Sequence, residues 1–192
     1  MKVLSIQSSN RRDGLTASLA QAVLDGVKRV EPDAEVQMVH LCDKRIEVCR
    51  ACGERGWGVC FTGEPCVIED DFLSLVEQIV RADAVVFATP VYFWDVSESM
   101  KTFLDRLRRQ EWARRDSARL RGKPVIGIAA AGGSGTGAPS AIRNLETYMT
   151  YLGVHHVVYL PVSRQNQEMQ KRAAYTAGEH VVEVARAQQN GG

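Results

Sequence analysis

Short apolar runs rich in β-branched residues alternate with helical patterns along the whole chain. The predicted strands span residues 3–6, 36–39, 84–88, 125–130 and 154–160. Between and after them, apolar residues recur at helical spacing from Leu15, Phe72, Met100, Ile142 and Ala173. This βαβ alternation, with central strands apolar on both faces, predicts a three-layer, doubly wound α/β domain around a parallel sheet of five strands.

The alternation predicts one domain over residues 1–192, interrupted once. Residues 41–67 contain no strand or helix pattern and hold all five cysteines, four of which are crowded between Cys49 and Cys66, so we interpret them as a cysteine-rich insertion. A loop of this length in a small domain is usually functional. The polar C-terminal tail, which ends Gln-Gln-Asn-Gly-Gly, is expected to be flexible.

The composition and charge of the chain argue against nucleic-acid binding and membrane insertion. Hydrophobic residues make up 45% of the 192, enough for a buried core, and 24 Lys and Arg against 23 Asp and Glu give a net charge of +1. No overall field therefore attracts nucleic acid or acidic lipid, and we expect neither as a partner. The chain has no apolar run that could cross a membrane, and its first residues are too quickly polar for a signal peptide, so we expect a cytoplasmic protein.

The loop after the first strand has the chemistry of a phosphate site. It leads into a helix start through hydroxyls, an arginine and a glycine: Ser9, Arg11, Gly14, Leu15 and Thr16. Free backbone amides and the positive end of the helix dipole favour an anion there. The alternative is that the hydroxyls only form turns and cap the helix. The spacings of a Walker loop and of a dinucleotide-binding glycine motif are absent.

The loops after the third and fourth strands should meet the first loop at the same sheet edge. One is aromatic and could hold a planar ring, unless it is a hydrophobic lid or a subunit contact: Pro90, Val91, Tyr92, Phe93 and Trp94. The other is glycine-rich and lets backbone amides approach a ligand: Ala131, Gly132, Gly133, Gly135 and Gly137. In a flavodoxin-like strand order of 2-1-3-4-5, phosphate at one end and a flat ring at the other match the shape of FMN.

These residues carry a resemblance over nearly all of residues 1–160. The chain resembles the flavodoxin-like NADPH-dependent FMN reductase family and, within it, the iron-sulfur flavoproteins. The first loop is similar to that family's phosphate loop, Gly-Ser-Pro-Arg followed by Asn-Gly-Asn-Thr, with Ser9, Arg11 and Thr16 as the matched side chains. The segment from Thr89 to Arg106 is similar to the one that lies along the flavin in this family.

The cysteine insertion suggests a metal or redox site, because such crowded thiols in a reducing compartment are seldom a disulfide framework. Cys49 and Cys52 lie three positions apart, and Cys60 and Cys66 follow with glycines between them. The resemblance to iron-sulfur flavoproteins implies a [4Fe-4S] cluster on these four thiols, although the gap from Cys52 to Cys60 is longer than that family's usual two residues. Zinc, unligated thiols and a disulfide stay open as alternatives.

We therefore hypothesise an FMN-binding oxidoreductase of the NAD(P)H-dependent FMN or quinone reductase type, or an iron-sulfur flavoprotein that transfers electrons. Electrons would come from NAD(P)H or through the cluster and pass to a small-molecule or protein acceptor, with no side chain assigned as catalytic acid or base. A flavodoxin-like electron carrier or redox-sensing module without turnover is the alternative, and a zinc-stabilised binding domain without flavin is a third. The resemblance and the aromatic loop also imply a homodimer or homotetramer.

Overall fold

Five parallel strands form the centre of the computed structural model, which describes residues 1–112, 114 and 118–190. They are β1 (Lys2–Gln7), β2 (Glu35–His40), β3 (Ala84–Tyr92), β5 (Pro124–Ala130) and β6 (His155–Val162), and a short strand β4 (Asp95–Val96) lies beside the end of β3. The sheet order is β2-β1-β3-β5-β6, and each neighbouring pair in it is parallel. Counted over the parallel strands alone, this is the predicted order 2-1-3-4-5.

The short strand β4 corrects the predicted strand count. Strand β3 does not end at Ala88 but continues to Tyr92, and β4 pairs with its last residues in antiparallel fashion, Val91 with Val96 and Tyr92 with Asp95. The sequence prediction missed this hairpin because its turn residues are Phe93 and Trp94, without the glycine or asparagine that normally mark such a turn.

Helices cover both faces of the sheet, which confirms the predicted three layers. They are α1 (Leu15–Val30), α2 (Phe72–Arg81), α3 (Glu98–Trp112), α4 (Ala138–Leu152) and α5 (Gln167–Asn190). Because successive strand residues point to opposite faces, Val86 lies in the core under α1 and α5, whereas Phe87 lies in the core under α2, α3 and α4. Because both faces of the central strands are covered by helices, successive strand residues are mostly apolar, and the strands show as continuous apolar runs in the sequence.

Helices α1 and α5 approach each other through two glycines. A Cβ atom at Gly26 would lie 2.0 Å from the carbonyl oxygen of Tyr175, and one at Gly178 would lie 2.0 Å from that of Val23. No side chain fits at such distances, so glycine at both positions is what lets the two helix backbones pack closely.

The sequence pattern predicts neither a strand nor a helix for the cysteine insertion and the polar C-terminal tail. Residues 41–67 contain two short 3-10 turns, Leu41–Asp43 and Val59–Thr62. The polar residues predicted to be a flexible tail are still helical up to Asn190, with Gln188 Nε2 donating to the Gly122 carbonyl at 2.9 Å and Gln189 Nε2 to Asp83 Oδ1 at 3.0 Å. The end of that predicted tail, Gly191 and Gly192, lies outside the described residues.

Within the part of the chain that the structure describes, no helix has the length and apolar character needed to cross a bilayer.

The close contact between the two helices gives the first testable prediction. Replacing Gly178 by Ala should lower the free energy of unfolding by about 1–3 kcal/mol, because the new methyl group overpacks the interface with α1. Urea denaturation measures the change. Arg29→Ala, at an exposed position on α1, is the control and should change stability by no more than about 0.5 kcal/mol. Equal stabilities of the two variants would contradict the predicted close packing.

Candidate functional site

The three loops singled out in the sequence meet at the carboxyl edge of the sheet. They follow the adjacent strands β1, β3 and β5, and the register pairs Gln7 with Ala88 and Pro90 with Ala130. The amide of Ser8 donates to the carbonyl of Ala88 at 3.0 Å, so the first loop leaves the sheet directly beside β3. The predicted convergence of the loops is present.

The first loop is closed by its own hydrogen bonds. Gln7 Oε1 accepts from the amide of Ser9 at 2.5 Å, and Ser9 Oγ accepts from the amide of Arg11 at 3.1 Å. Helix α1 then begins at Leu15 with Gly14 as its N-cap, and no side chain caps it. The structure thus shows no capping by Ser9 or Thr16, whereas the bond from the Arg11 amide to Ser9 Oγ does form a turn, as the alternative expected. The first-turn amides of α1 stand at a helix end whose partial positive charge suits an anion.

A cluster of mostly buried hydroxyls joins the first loop to β3 and α3, and the sequence patterns above do not predict it. Ser97 Oγ donates to Ser8 Oγ at 2.8 Å and accepts from the amide of Met100 at 3.3 Å. The amide of Ser97 donates to Thr89 Oγ1 at 3.0 Å, and Ser99 Oγ donates to the carbonyl of Ser8 at 3.3 Å. The signal was available, since a serine directly before a helical apolar pattern predicts an N-cap.

The aromatic hairpin projects beyond the sheet edge. Pro90 is buried at the end of β3, whereas Tyr92 and Trp94 are exposed and the side chain of Phe93 is 96% exposed. Phe93 and Trp94 form the two-residue turn with φ values of 46° and 71°. Such left-handed conformations in bulky residues cost about 1–3 kcal/mol each and persist only where the surroundings fix them.

Two contacts fix this hairpin. Asp95 Oδ1 accepts from the amide of Val96 at 2.7 Å and from Asn144 Nδ2 at 2.9 Å, which ties β4 to α4. In the third loop, a Cβ atom at Gly137 would lie 3.0 Å from both Trp94 Cα and Val91 Cγ1. Glycine at 137 therefore lets this loop pack against the hairpin.

The rest of the third loop leaves room for a ligand. A Cβ atom built at Gly132 or Gly133 meets nothing within 4 Å. Ala131 is buried, and its amide donates to the carbonyl of Val162 at 2.8 Å. Gly135 has a φ of +84° and packs against Ser163. The ends of the loop are thus fixed, while its middle is open.

The four predicted cysteine ligands line one small pocket, which is lined mostly by apolar atoms: Cys49, Cys52, Cys60 and Cys66. Cys42 lies outside it and is exposed. Among the described residues, however, no three or more His, Cys, Asp or Glu side chains are placed so as to hold a metal ion. The four thiols therefore line one cavity, but their sulfur atoms are not arranged around a single metal position.

The identity of the chain follows from comparison with known sequences. The NADPH-dependent FMN reductase family matches residues 1–167. The chain belongs to this family. The membership confirms the predicted class of function, an FMN-binding oxidoreductase.

Individual relatives agree with this assignment. An iron-sulfur flavoprotein of Archaeoglobus fulgidus is 33% identical over 149 residues, which are 77% of this chain and 68% of that protein. An FMN-dependent NADH:quinone oxidoreductase of Staphylococcus aureus is 27% identical over 187 residues, covering 88% of this chain and 90% of that one. A flavodoxin from the domain Archaea superposes with a TM-score of 0.62 at 14% identity, covering 97% and 99%, and this similarity shows the flavodoxin-like fold alone.

In this FMN reductase family member, helix α3 holds the cysteine insertion through polar side chains. Arg109 donates from its NH1 group to the carbonyl of Gly56 at 2.8 Å and lies over the ring of Trp57, 4.4 Å from its centroid. Gln110 accepts from the amide of Cys66 at 2.9 Å and donates to the carbonyl of Glu64 at 3.0 Å.

The contacts of α3 also include a buried ion pair. The side chains of Arg106 and Asp70 are 1% and 0% exposed, and their two hydrogen bonds measure 2.5 and 3.1 Å. Burial tends to raise the pKa of Asp70, but hydrogen bonds from Arg106 and from the amides of Glu47 and Phe72 outweigh it and hold that pKa below its ordinary value. Asp70 is therefore a carboxylate at neutral pH and a fixed partner for the guanidinium.

Removing this carboxylate should be costly. Asp70→Asn is expected to reduce the free energy of unfolding by about 3–5 kcal/mol at pH 7, because it leaves the Arg106 charge buried without a counter-charge. The lowered pKa of Asp70 means that its contribution is complete above the unfolded pKa of about 4 and is lost as the pH falls further. The stabilities of wild type and variant should accordingly approach each other below that pH.

Chemical denaturation between pH 3 and pH 7 measures both effects. Asp33→Asn, at an exposed position outside the helices, is the control and should behave as wild type. An Asp70→Asn protein as stable as the control at pH 7 would show that the pair does not anchor the insertion.

Proposed function

We propose that this oxidoreductase binds FMN across the three loops at the carboxyl edge of the sheet and uses NAD(P)H as electron donor. The observation that carries the proposal is the joining of the uncapped start of α1, the aromatic hairpin and the open glycine loop at one edge. These are the features that a ligand with a phosphate at one end and a flat ring at the other requires.

The first loop would hold the phosphate. Its candidates are Ser9, Arg11, Gly14, Leu15 and Thr16, which surround the N-terminus of α1. The helix supplies first-turn amides, and the exposed Arg11 side chain is free to swing towards a dianion. The bonds among Gln7, Ser9 and Arg11 hold the loop backbone in place before any ligand arrives.

The hairpin and the third loop would hold the ring. On one side the candidates are Pro90, Val91, Tyr92, Phe93 and Trp94; on the other they are Ala131, Gly132, Gly133, Gly135 and Gly137. The exposed aromatics offer apolar surface to a planar group, and the glycines let backbone amides approach its polar edge. When bound, FMN supplies the redox chemistry, and the protein supplies position and electrostatics.

We further propose that the four pocket cysteines hold an iron-sulfur cluster. The donor set fits: four thiols from one insertion surround one pocket, with no oxygen or imidazole ligand among them. A single zinc ion would require four sulfurs at about 2.3 Å from one point, and the described side chains do not converge in that way. A cluster has its cysteines at its periphery. The relative from A. fulgidus is named an iron-sulfur flavoprotein.

The acceptor would be a small molecule such as a quinone, or a protein, and the relative from S. aureus is named for the quinone reaction. A homodimer or homotetramer would explain why large aromatic side chains stay exposed on α3, α4 and the hairpin, namely those of Trp112, Tyr151 and Phe93.

The function is tested on protein purified without air. We expect a yellow protein that carries FMN and whose flavin absorption bleaches rapidly when it is mixed with NADPH or NADH in a stopped-flow instrument. A bound flavin indifferent to both nicotinamides would favour an electron carrier. Folded protein that stays colourless and takes up no added FMN would overturn the proposal.

The phosphate loop is checked with two neighbouring arginines. Arg11→Ala should weaken FMN binding roughly tenfold, since it removes a charged donor worth about 1.4 kcal/mol. Arg12→Ala should leave the affinity unchanged, because Arg12 pairs with Asp43. Equal affinities of the two variants, measured by fluorescence quenching of FMN, would place the phosphate elsewhere.

The cluster is tested by metal analysis. Cys60→Ser should lose iron and acid-labile sulfide while it retains FMN, because the serine replaces one of four ligands at the pocket. Cys42→Ser, outside the pocket, should keep the wild-type content of both. Wild-type protein that contains zinc or no metal at all would contradict the cluster.

A further inference from the structure

Helix α3 contacts one of the four pocket cysteines at two of its atoms. Gln110 accepts from the backbone amide of Cys66 at 2.9 Å, and the NH2 group of Arg106 donates to Cys66 Sγ at 3.5 Å. The two side chains are four positions apart on α3 and so lie on the same face of the helix. Both are almost fully buried.

The guanidinium of Arg106 is held rigidly. Its NH1 group donates to the carbonyl of Glu47 at 3.1 Å and to Asp70, and its NH2 group donates to Asp70 and to Cys66 Sγ. The planar group lies over the ring of Phe72, 4.2 Å from the centroid. All four N–H bonds of the two terminal nitrogens therefore have an acceptor, and one of them is a sulfur atom.

A neutral thiol is a poor acceptor for a buried guanidinium, whereas a thiolate is a strong one. The N–H···S contact thus suits Cys66 in the form in which it would bind a metal. It also suits a reduced cluster, because the electron that reduces a cluster adds negative charge to its iron and sulfur atoms, and a charged donor stabilises that charge.

We propose that Arg106 and Gln110 are positioning residues that fix Cys66 as the anchored ligand of the iron-sulfur cluster, and that Arg106 raises the reduction potential of the cluster through its hydrogen bond to Cys66 Sγ. This inference rests on the proposed cluster. In the stretch of the insertion that carries Cys49, Cys52 and Cys60, Arg109 of α3 donates to the carbonyl of Gly56 rather than to a cysteine.

The test compares two arginines of α3. In Arg106→Lys the positive charge stays, but one ammonium cannot span both Asp70 and Cys66 as the guanidinium fork does. Arg108→Lys is the control, since Arg108 lies on the same helix, 5.8 Å from the ring centroid of Trp57, and is not among the residues that line the thiol pocket. Both variants are prepared without air as full-length protein, and iron, sulfide and FMN are quantified.

The midpoint potential of the cluster is then measured by a reductive titration followed by electron paramagnetic resonance. We expect a more negative potential in Arg106→Lys than in wild type, and the wild-type potential in Arg108→Lys. Loss of iron from Arg106→Lys alone, with FMN retained, supports the anchoring of Cys66. Equal potentials and equal iron contents in all three proteins, or equal shifts in both variants, would overturn the role of Arg106.

A second variant covers the case in which Arg106→Lys does not fold. The double variant Asp70→Asn/Arg106→Gln removes both buried charges together, so that neither is left without a partner. It should keep FMN and show the same direction of shift. The absence of a cluster would be recognised first, in the wild-type protein. Wild-type protein without iron would contradict the proposed cluster before any variant is compared, and it would overturn the proposed role of Arg106 as well.

Discussion

The buried pair of Arg106 and Asp70 is the constraint on which the cysteine insertion depends. Residues 41–67 form no strand and only two short 3-10 turns, so few backbone bonds hold them. Replacing a buried ion pair by well-packed apolar residues is often neutral for stability, so the importance of this pair lies in the groups that it holds together. The guanidinium fork brings the Glu47 carbonyl, the Asp70 carboxylate and the Cys66 sulfur into one arrangement, which an apolar side chain could not select.

Helix α3 connects this insertion to the sheet edge. Ser97 and Ser99 at its start belong to the hydroxyl cluster that holds the first loop, and Arg106 and Gln110 further along hold Cys66. At 1.5 Å per residue, Ser99 and Arg106 are about 10 Å apart along the axis. The spacing between the two candidate centres is therefore set by a rigid element that packs into the core, although each centre is itself built from loops.

Sequence patterns predict the parts of the fold that repeat a simple rule. The β-branched runs predict buried parallel strands, the glycines after β5 predict an open loop, and the crowded cysteines predict a shared site. The contacts of Arg106 cannot be predicted in this way, because they join residues 47, 66, 70 and 106, and nothing local marks an arginine as buried. The close packing at Gly26 and Gly178 cannot be predicted for the same reason, because the backbone atoms that exclude a side chain there are distant in sequence.

The hairpin turn shows how a departure from local rules directs attention to function. Asn-Gly at positions 93 and 94 would form a two-residue turn of this kind with little strain. The chain instead places Phe93 and Trp94 in left-handed conformations, and the Asp95–Asn144 bond and the contact with Gly137 hold them there. Phe93 is almost fully exposed, so packing against the described residues of this chain does not explain it. A planar ligand or a second subunit that binds against Phe93 and Trp94 would account for the strained turn. The proposed flavin site lies at the same edge of the sheet.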